Sequence, residues 1–328
     1  MKKDPTHPES LENPFQAGDV QHVFKQAKRK SVIRNILIST AASLLLIGGV
    51  FISNQTLLNN KGWKIYSEIE GLHKFAGANL HLTNAQFQYG LGQGTMRLTT
   101  YKFVEHRSVP WGEKIYEFEI MGDPSLLIGG HSDLQYIEEL TTDYQVDRFS
   151  NAHNGEYEMQ FYNPMIEYKK YINDLPQLDQ LQENQYIEMA LSLDRGYRLD
   201  EVKSMLPSQV NAVWFQVNDL TIEEAQKIED PRPQTARSVY GFHAYRDPES
   251  RTSPNTEESF EKDLVDYMAY AKTHYKSQAE RLYQSWKSQE DEGRIIGVVV
   301  TGSKEQFKSL VDKPYIKAAV LGATVDKY

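Results

Sequence analysis

The chain has 328 residues, 40% of them hydrophobic and 25% charged, with no cysteine and a net charge of −9. That length and composition suit a folded protein of two domains, or of one domain with attachments. The acidic balance excludes nucleic acid as a main direct partner. The absence of cysteine excludes disulfides, thiolate zinc sites and a cysteine nucleophile.

Charge is unevenly spread. Residues 1–35 carry a net of +3, which leaves −12 for the rest. The first 18 residues are polar with three prolines and are expected to be disordered or extended. Asp19 is positioned to cap a helix from Val20. Val20, Val23, Phe24 and Ala27 would then form one apolar stripe at i, i+3, i+4 and i+7. A short helix of this kind needs something to cover its stripe, either an anionic lipid surface or a partner protein. About thirty residues are too few for an enzyme domain, so this end binds rather than catalyses.

From Ile36 to Leu58 no residue is charged. A helix over this run would be roughly 34 Å long, enough for a hydrocarbon core of about 30 Å. A cleavable signal has a shorter apolar core and a small-residue cleavage site, which Ile52-Ser53-Asn54-Gln55 does not offer. Lys25, Lys28, Arg29, Lys30 and Arg34 precede the run, and only Lys61 and Lys64 follow it closely. The positive-inside rule then puts the N-terminus in the cytoplasm and the rest outside. The expectation is a single-pass cell-membrane protein with an extracytoplasmic C-terminal part.

Residues 59–180 read as a β-rich region. "NLHLTNAQFQY", "TMRLTTYKFVEH" and "KIYEFEIMG" alternate, and Arg107–Glu113, with its Pro-Trp-Gly, reads as the hairpin turn. Residues 181–328 read as strand–helix–strand twice. "YIEMALSLD", "LDEVKSML" and "NAVWFQV" form the first copy. "RIIGVVVTG", "EQFKSLV" and "IKAAVLGATV" form the second, with a capping box from Ser303 to Gln306. Val202–Leu206 aligns with Phe307–Val311, a weak internal repeat. The fold class expected is α+β: one transmembrane helix (36–58), a strand-rich region, then an α/β sandwich with a ferredoxin-like βαβ repeat. Between the two copies an aromatic stripe predicts one long helix over about Thr256–Glu292, ended by Gly293.

No catalytic constellation emerges. Gly90-Leu91-Gly92-Gln93-Gly94 has the wrong spacing for a dinucleotide loop and precedes a strand, so it reads as a turn. Gly129-Gly130-His131-Ser132-Asp133 places triad residue types side by side, where they cannot converge. The nine histidines are scattered, and a metal site would have to be assembled by the fold. Glu138-Glu139 and Glu257-Glu258 read as solvated surface or helix N-terminal charge. The expectation is a non-enzymatic protein without cofactor or metal.

Several stretches resemble the membrane-bound sigma factor regulators of Gram-positive bacteria, which have an N-terminal and a C-terminal regulator domain. They are "VFKQAKRKSVIRNILI", "MQFYNPMIEYKKYINDLPQL", "YIEMALSLDRGYRLDEVKSMLP", "VYGF", "GVVVTGSKEQFKSL" and "IKAAVLGATVDKY". The resemblance implies a transmembrane anti-sigma factor whose cytoplasmic segment (1–35) sequesters an extracytoplasmic-function sigma factor. The outer domain would report envelope stress. Val23, Phe24, Ala27, Lys28, Arg29 and Lys30 would belong to the docking helix, with Val20 completing its stripe. The zinc-binding type of anti-sigma domain has His and paired Cys in a cytoplasmic helical domain, whereas this chain has no cysteine and no room for such a domain. So short a docking element implies help from a small membrane protein partner. The competing expectation is a membrane-anchored envelope-assembly or cell-wall-binding protein that touches no sigma factor.

Overall fold

A computed structural model describes residues 17–83, 85–130, 133–140, 145–247, 251–272, 275–289 and 293–328; the side chains of 17–20 and 138–146 lie outside that description. The chain divides into two units, Met1–Leu57 and Leu58–Tyr328.

The first element, α1, spans Ala17–His73. It corrects two expectations. Asp19 lies inside the helix rather than capping it, and the basic segment is no separate short helix. No proline occurs from Ala17 to His73, so nothing removes a backbone donor or forces a kink. From Leu58 onward α1 belongs to the second unit, where Leu58, Ile65 and Ile69 are buried against β-sheet residues Met96, Leu98 and Phe118.

The first sheet consists of β1 (His81–Leu82), β2 (Gln86–Tyr89), β3 (Gln93–Val104), β4 (Arg107–Glu119) and β5 (Ser125–Ile128). Its order is β1-β3-β4-β5, with β2 also pairing with β3, and every pairing is antiparallel. "NLHLTNAQFQY" thus supplies two short strands, β1 and β2, both paired with β3. The Pro-Trp-Gly expectation is also corrected, because these residues lie within β4. Thr100 faces Gly112 and Tyr101 faces Pro110, which leaves Trp111 as the extra residue of a bulge. A bulge tolerates proline's missing N–H and turns Trp111 inward. The turn itself falls at Glu105, which adopts φ +56°.

Two small pairs follow, β6 (Leu134–Leu140) with β7 (Gln145–Asn151) and β8 (Gln160–Phe161) with a later strand. Then come β9 (Gln185–Tyr197), α2 (Leu199–Met205), β10 (Asn211–Val217), α3 (Ile222–Gln226), β11 (Gln234–Thr235, the partner of β8) and β12 (Gly241–His243). The chain continues through α4 (Glu257–Tyr270), α5 (Tyr275–Ser288), β13 (Ile295–Ser303), α6 (Lys304–Phe307) and β14 (Ile316–Asp326). The second sheet is antiparallel throughout, in the order β12-β10-β13-β9-β14. Each strand–helix–strand copy therefore skips one place, and the strand it skips comes from the other copy.

The single long helix expected over 256–292 is two. Ala271 leaves the helical region (ψ 136°) after α4. Phe260, early in α4, meets Trp286, late in α5, at 4.7 Å, so the two run antiparallel. One continuous helix would be about 55 Å long and would carry half its aromatic stripe off the sheet. The folded-back pair keeps the whole stripe, Phe260, Leu264, Tyr267, Leu282 and Trp286, in the main core. In the second copy, α6 is only four residues, continued as 3₁₀ helix over Lys308–Leu310. Gln306 accepts from the Ser303 N–H at 2.6 Å, as the capping pattern predicts.

Candidate functional site

On the first unit, the predicted docking residues occupy one stretch of α1. At about 100° per residue, Val20, Val23, Phe24 and Ala27 span roughly 100° of the helix surface, with Lys28 and Lys30 bordering them and Arg29 opposite. Val23 is 64% and Phe24 70% exposed, and Ala27, Lys28, Arg29 and Lys30 are exposed too. The side chain of Val20 lies outside the described residues. Further along, Ile36, Leu37, Leu44, Leu45 and Ile52 are also exposed. An apolar helix with no packed face is one that lipid or protein covers. The described part of α1 is the one helix, among the described residues, long and apolar enough to cross a membrane.

The second unit carries a charged cluster that the sequence does not reveal. Strand alternation splits β9 between two faces. Ile187, Met189, Leu191 and Leu193 point to the helices, and Glu188, Ala190 and Ser192 point away. Glu188 is fully buried. It accepts from Lys102 Nζ on β3 at 2.9 Å, from Asn79 Nδ2 at 2.7 Å and from the Ala323 N–H at 3.1 Å. Lys102 sits 3.8 Å over the ring of the bulged Trp111. Next to this pair, Arg237 Nε stands 3.5 Å from Glu158 and Arg237 Nη1 stands 3.5 Å from Asp133, which His153 also approaches at 3.4 Å. Burial pushes the Glu158 carboxyl up, against the opposing pull of Lys102 and Arg237.

The fold also gathers three of the scattered histidines. His81 and His243 stack at 4.3 Å, and Lys114 Nζ lies 2.9 Å from His73 Nε2. Burial lowers all three. His243 falls to about 4, His81 is lowered further by the charge of His243, and His73 by that of Lys114. Lys114 itself drops to about 8, chiefly through burial. Stacked rings point their lone pairs in parallel planes rather than at a common point. Among the described residues no group of three or more His, Asp or Glu is arranged to hold a metal ion. A cleft of about 220 Å³ opens beside His243, lined also by Lys74, Phe75, Arg246 and Asp263.

The other singled-out motifs take structural places. Gly90–Gly94 includes the β2–β3 turn, with Gly92 at φ +76°. Glu257 and Glu258 stand in the first turn of α4, as the helix N-terminal reading expects, and Glu257 also accepts from the Leu199 N–H at 2.8 Å and pairs with Arg294 at 3.3 Å. His131, Ser132 and the side chains of Glu138 and Glu139 lie outside the described residues.

Residues 178–323 match the family model for the sigma factor regulator C-terminal domain, a span that holds the whole second sheet except the end of β14. The match covers less than half of the chain. It supports a sigma factor regulator family, and with it an anti-sigma role and a sigma factor as partner. Together with the apolar N-terminal helix it points to a membrane protein. No curated protein and no solved structure is significantly similar to the chain.

Proposed function

We propose that the chain is a single-pass anti-sigma factor, cytoplasmic at its N-terminus, that sequesters an extracytoplasmic-function sigma factor through the stretch of α1 bearing Val23, Phe24, Ala27, Lys28, Arg29 and Lys30. The outer unit reports envelope state, and the protein acts by binding rather than by catalysis. The match over 178–323 carries this reading. The exposed apolar stripe with basic borders supports it, because a helix face of this kind fits a groove on a partner protein. The two interleaved strand–helix–strand copies support a ferredoxin-like sandwich for the matched domain.

Affinity purification of the full chain from membranes tests the proposal. The wild type should bring down a sigma factor, and Phe24→Asp should weaken the capture by about tenfold or more, since a carboxylate would have to enter the apolar contact. Deleting residues 1–24 should release the stress regulon. Equal capture by Phe24→Asp would reject the docking helix. An unchanged regulon after the deletion would favour the envelope-assembly or wall-binding alternative.

A further inference from the structure

Among the described residues outside the apolar run of α1, the most exposed large apolar side chains short of the C-terminal Tyr328 are Leu91 (81%) and Met121 (83%). Leu91 sits in the turn between β2 and β3, and Met121 lies just past β4. The two tips are tied side by side, because the Ile120 N–H donates to Gly92 O at 3.2 Å. Both rest on the same turns of α1. Lys61 Nζ donates to Gly122 O at 2.6 Å, and the Tyr89 hydroxyl donates to Asn59 Oδ1 at 3.0 Å. The Trp63 ring lies 5.1 Å from Phe87. Gly62 permits this approach, since a Cβ there would come within 2.9 Å of the Phe87 ring. Asn59 directly follows Leu58, the last residue of the run read as the span. Each residue of chain spans at most about 3.6 Å, so covalent linkage alone holds these turns close to whatever surrounds that run.

We propose that the tips bearing Leu91 and Met121 dip into the headgroup layer of the bilayer, so that the outer unit touches lipid beside its own anchor. This rests on the reading of residues 36–58 as a membrane span. Trp63 and Lys64, both exposed on the same turns, are the residue types that gather at membrane–water interfaces. Glu119 and Asp123, exposed beside the tips, keep the contact shallow, because a carboxylate stays in water. The far end of the β3–β4 hairpin supplies a comparison position. Ser108, opposite Phe103, is roughly 30 Å along the strands from Gly94.

The chain has no cysteine, so single labelling sites are simple to make. Leu91→Cys, Met121→Cys, Ser108→Cys and, within the span, Leu45→Cys are each labelled with an environment-sensitive fluorophore in the full-length chain. The proteins are reconstituted in phosphatidylcholine–phosphatidylglycerol vesicles containing lipid with a doxyl quencher, placed shallow on the acyl chain for labels at 91, 121 and 108 and deep on it for the label at 45. Labels at 91 and 121 should be blue-shifted and quenched roughly twofold, the label at 108 should resemble one in water, and the label at 45 should be quenched. Quenching at 45 but not at both tips overturns the lipid contact alone. No quenching at 45 overturns the span. A blue shift at the tips without quenching assigns them to a neighbouring protein, a second copy included, and overturns the proposal. Quenching at 108 together with the tips lays the whole hairpin on the bilayer and overturns the tip-first contact.

Discussion

The two faces of the second sheet, β12-β10-β13-β9-β14, are covered in opposite ways. The helix face is closed by α2, α4, α5 and α6 with apolar and aromatic side chains, among them Leu264, Trp286 and Phe307. The other face has small apolar clusters around Trp214 and Tyr162, and it also buries Glu188 against Lys102, with Glu158 and Arg237 nearby. His243 belongs to this second face, since it sits opposite Trp214, whereas Phe242 sits opposite Phe215 on the helix face. Apolar packing stabilises without regard to partner or pH. Buried charge contributes little net stability but penalises any arrangement in which a partner is missing. One face gives the unit its stability, and the other makes that stability conditional.

The sharpest test of this contrast breaks the buried pair. Lys102→Met leaves the buried Glu188 carboxyl without its ion-pair partner, and should cost about 3–5 kcal/mol in guanidinium unfolding of the full chain in nanodiscs. Adding Glu188→Leu should recover most of that loss, because no uncompensated charge remains. If the double variant is as unstable as the single one, the pair acts through shape and not charge.

On the helix face no such rescue should exist. Leu264→Ala opens a cavity in a fully buried position and should cost about 3 kcal/mol by the same measurement, at any pH from 5 to 8.

Acid should separate the faces. His243 has a folded value near 4 against an ordinary 6.5, so the unfolded chain binds the extra proton between these limits. The contribution of a neutral His243 is full above pH 6.5 and is lost as pH falls toward 4, by at most about 3 kcal/mol. His81 and His73 shift in the same direction. His243→Phe should flatten the pH dependence of the melting temperature. An unchanged slope would remove His243 from the account.

The smallest effect is expected at the edge of the helix face. Thr256 caps α4 by accepting from the Ser259 N–H at 3.1 Å. Thr256→Ala should cost about 1 kcal/mol, without pH dependence.

The helix face was legible in the sequence because periodicity encodes it. The stripe from Phe260 to Trp286 identified the core residues even where the break at Ala271 went unseen, since that break has no proline or glycine to announce it. The charged face was not legible. Glu188 interrupts an apolar strand and Lys102 another, a signal that could have marked both as buried, but their pairing spans 86 positions and depends on how two sheets meet. The histidines fail for the same reason, as His73, His81 and His243 share no spacing. Pro110-Trp111-Gly112 is ambiguous for a different reason: the same composition suits a tight turn and a strand bulge that buries Trp111. On α1 the stripe and the basic border were plain, and its continuity to His73 was hidden behind the change from basic to apolar composition.

The interleaving of the second sheet has one more consequence. The first copy supplies β9 and β10, the second supplies β13 and β14, and they alternate in the order β10-β13-β9-β14. A protease that cuts between the copies therefore leaves two fragments still laced together by backbone hydrogen bonds on both sides of β9 and β13. Such a nick cannot shed half of the unit. Removing it takes unfolding of the sheet as a whole, or a cut on the N-terminal side of Leu58.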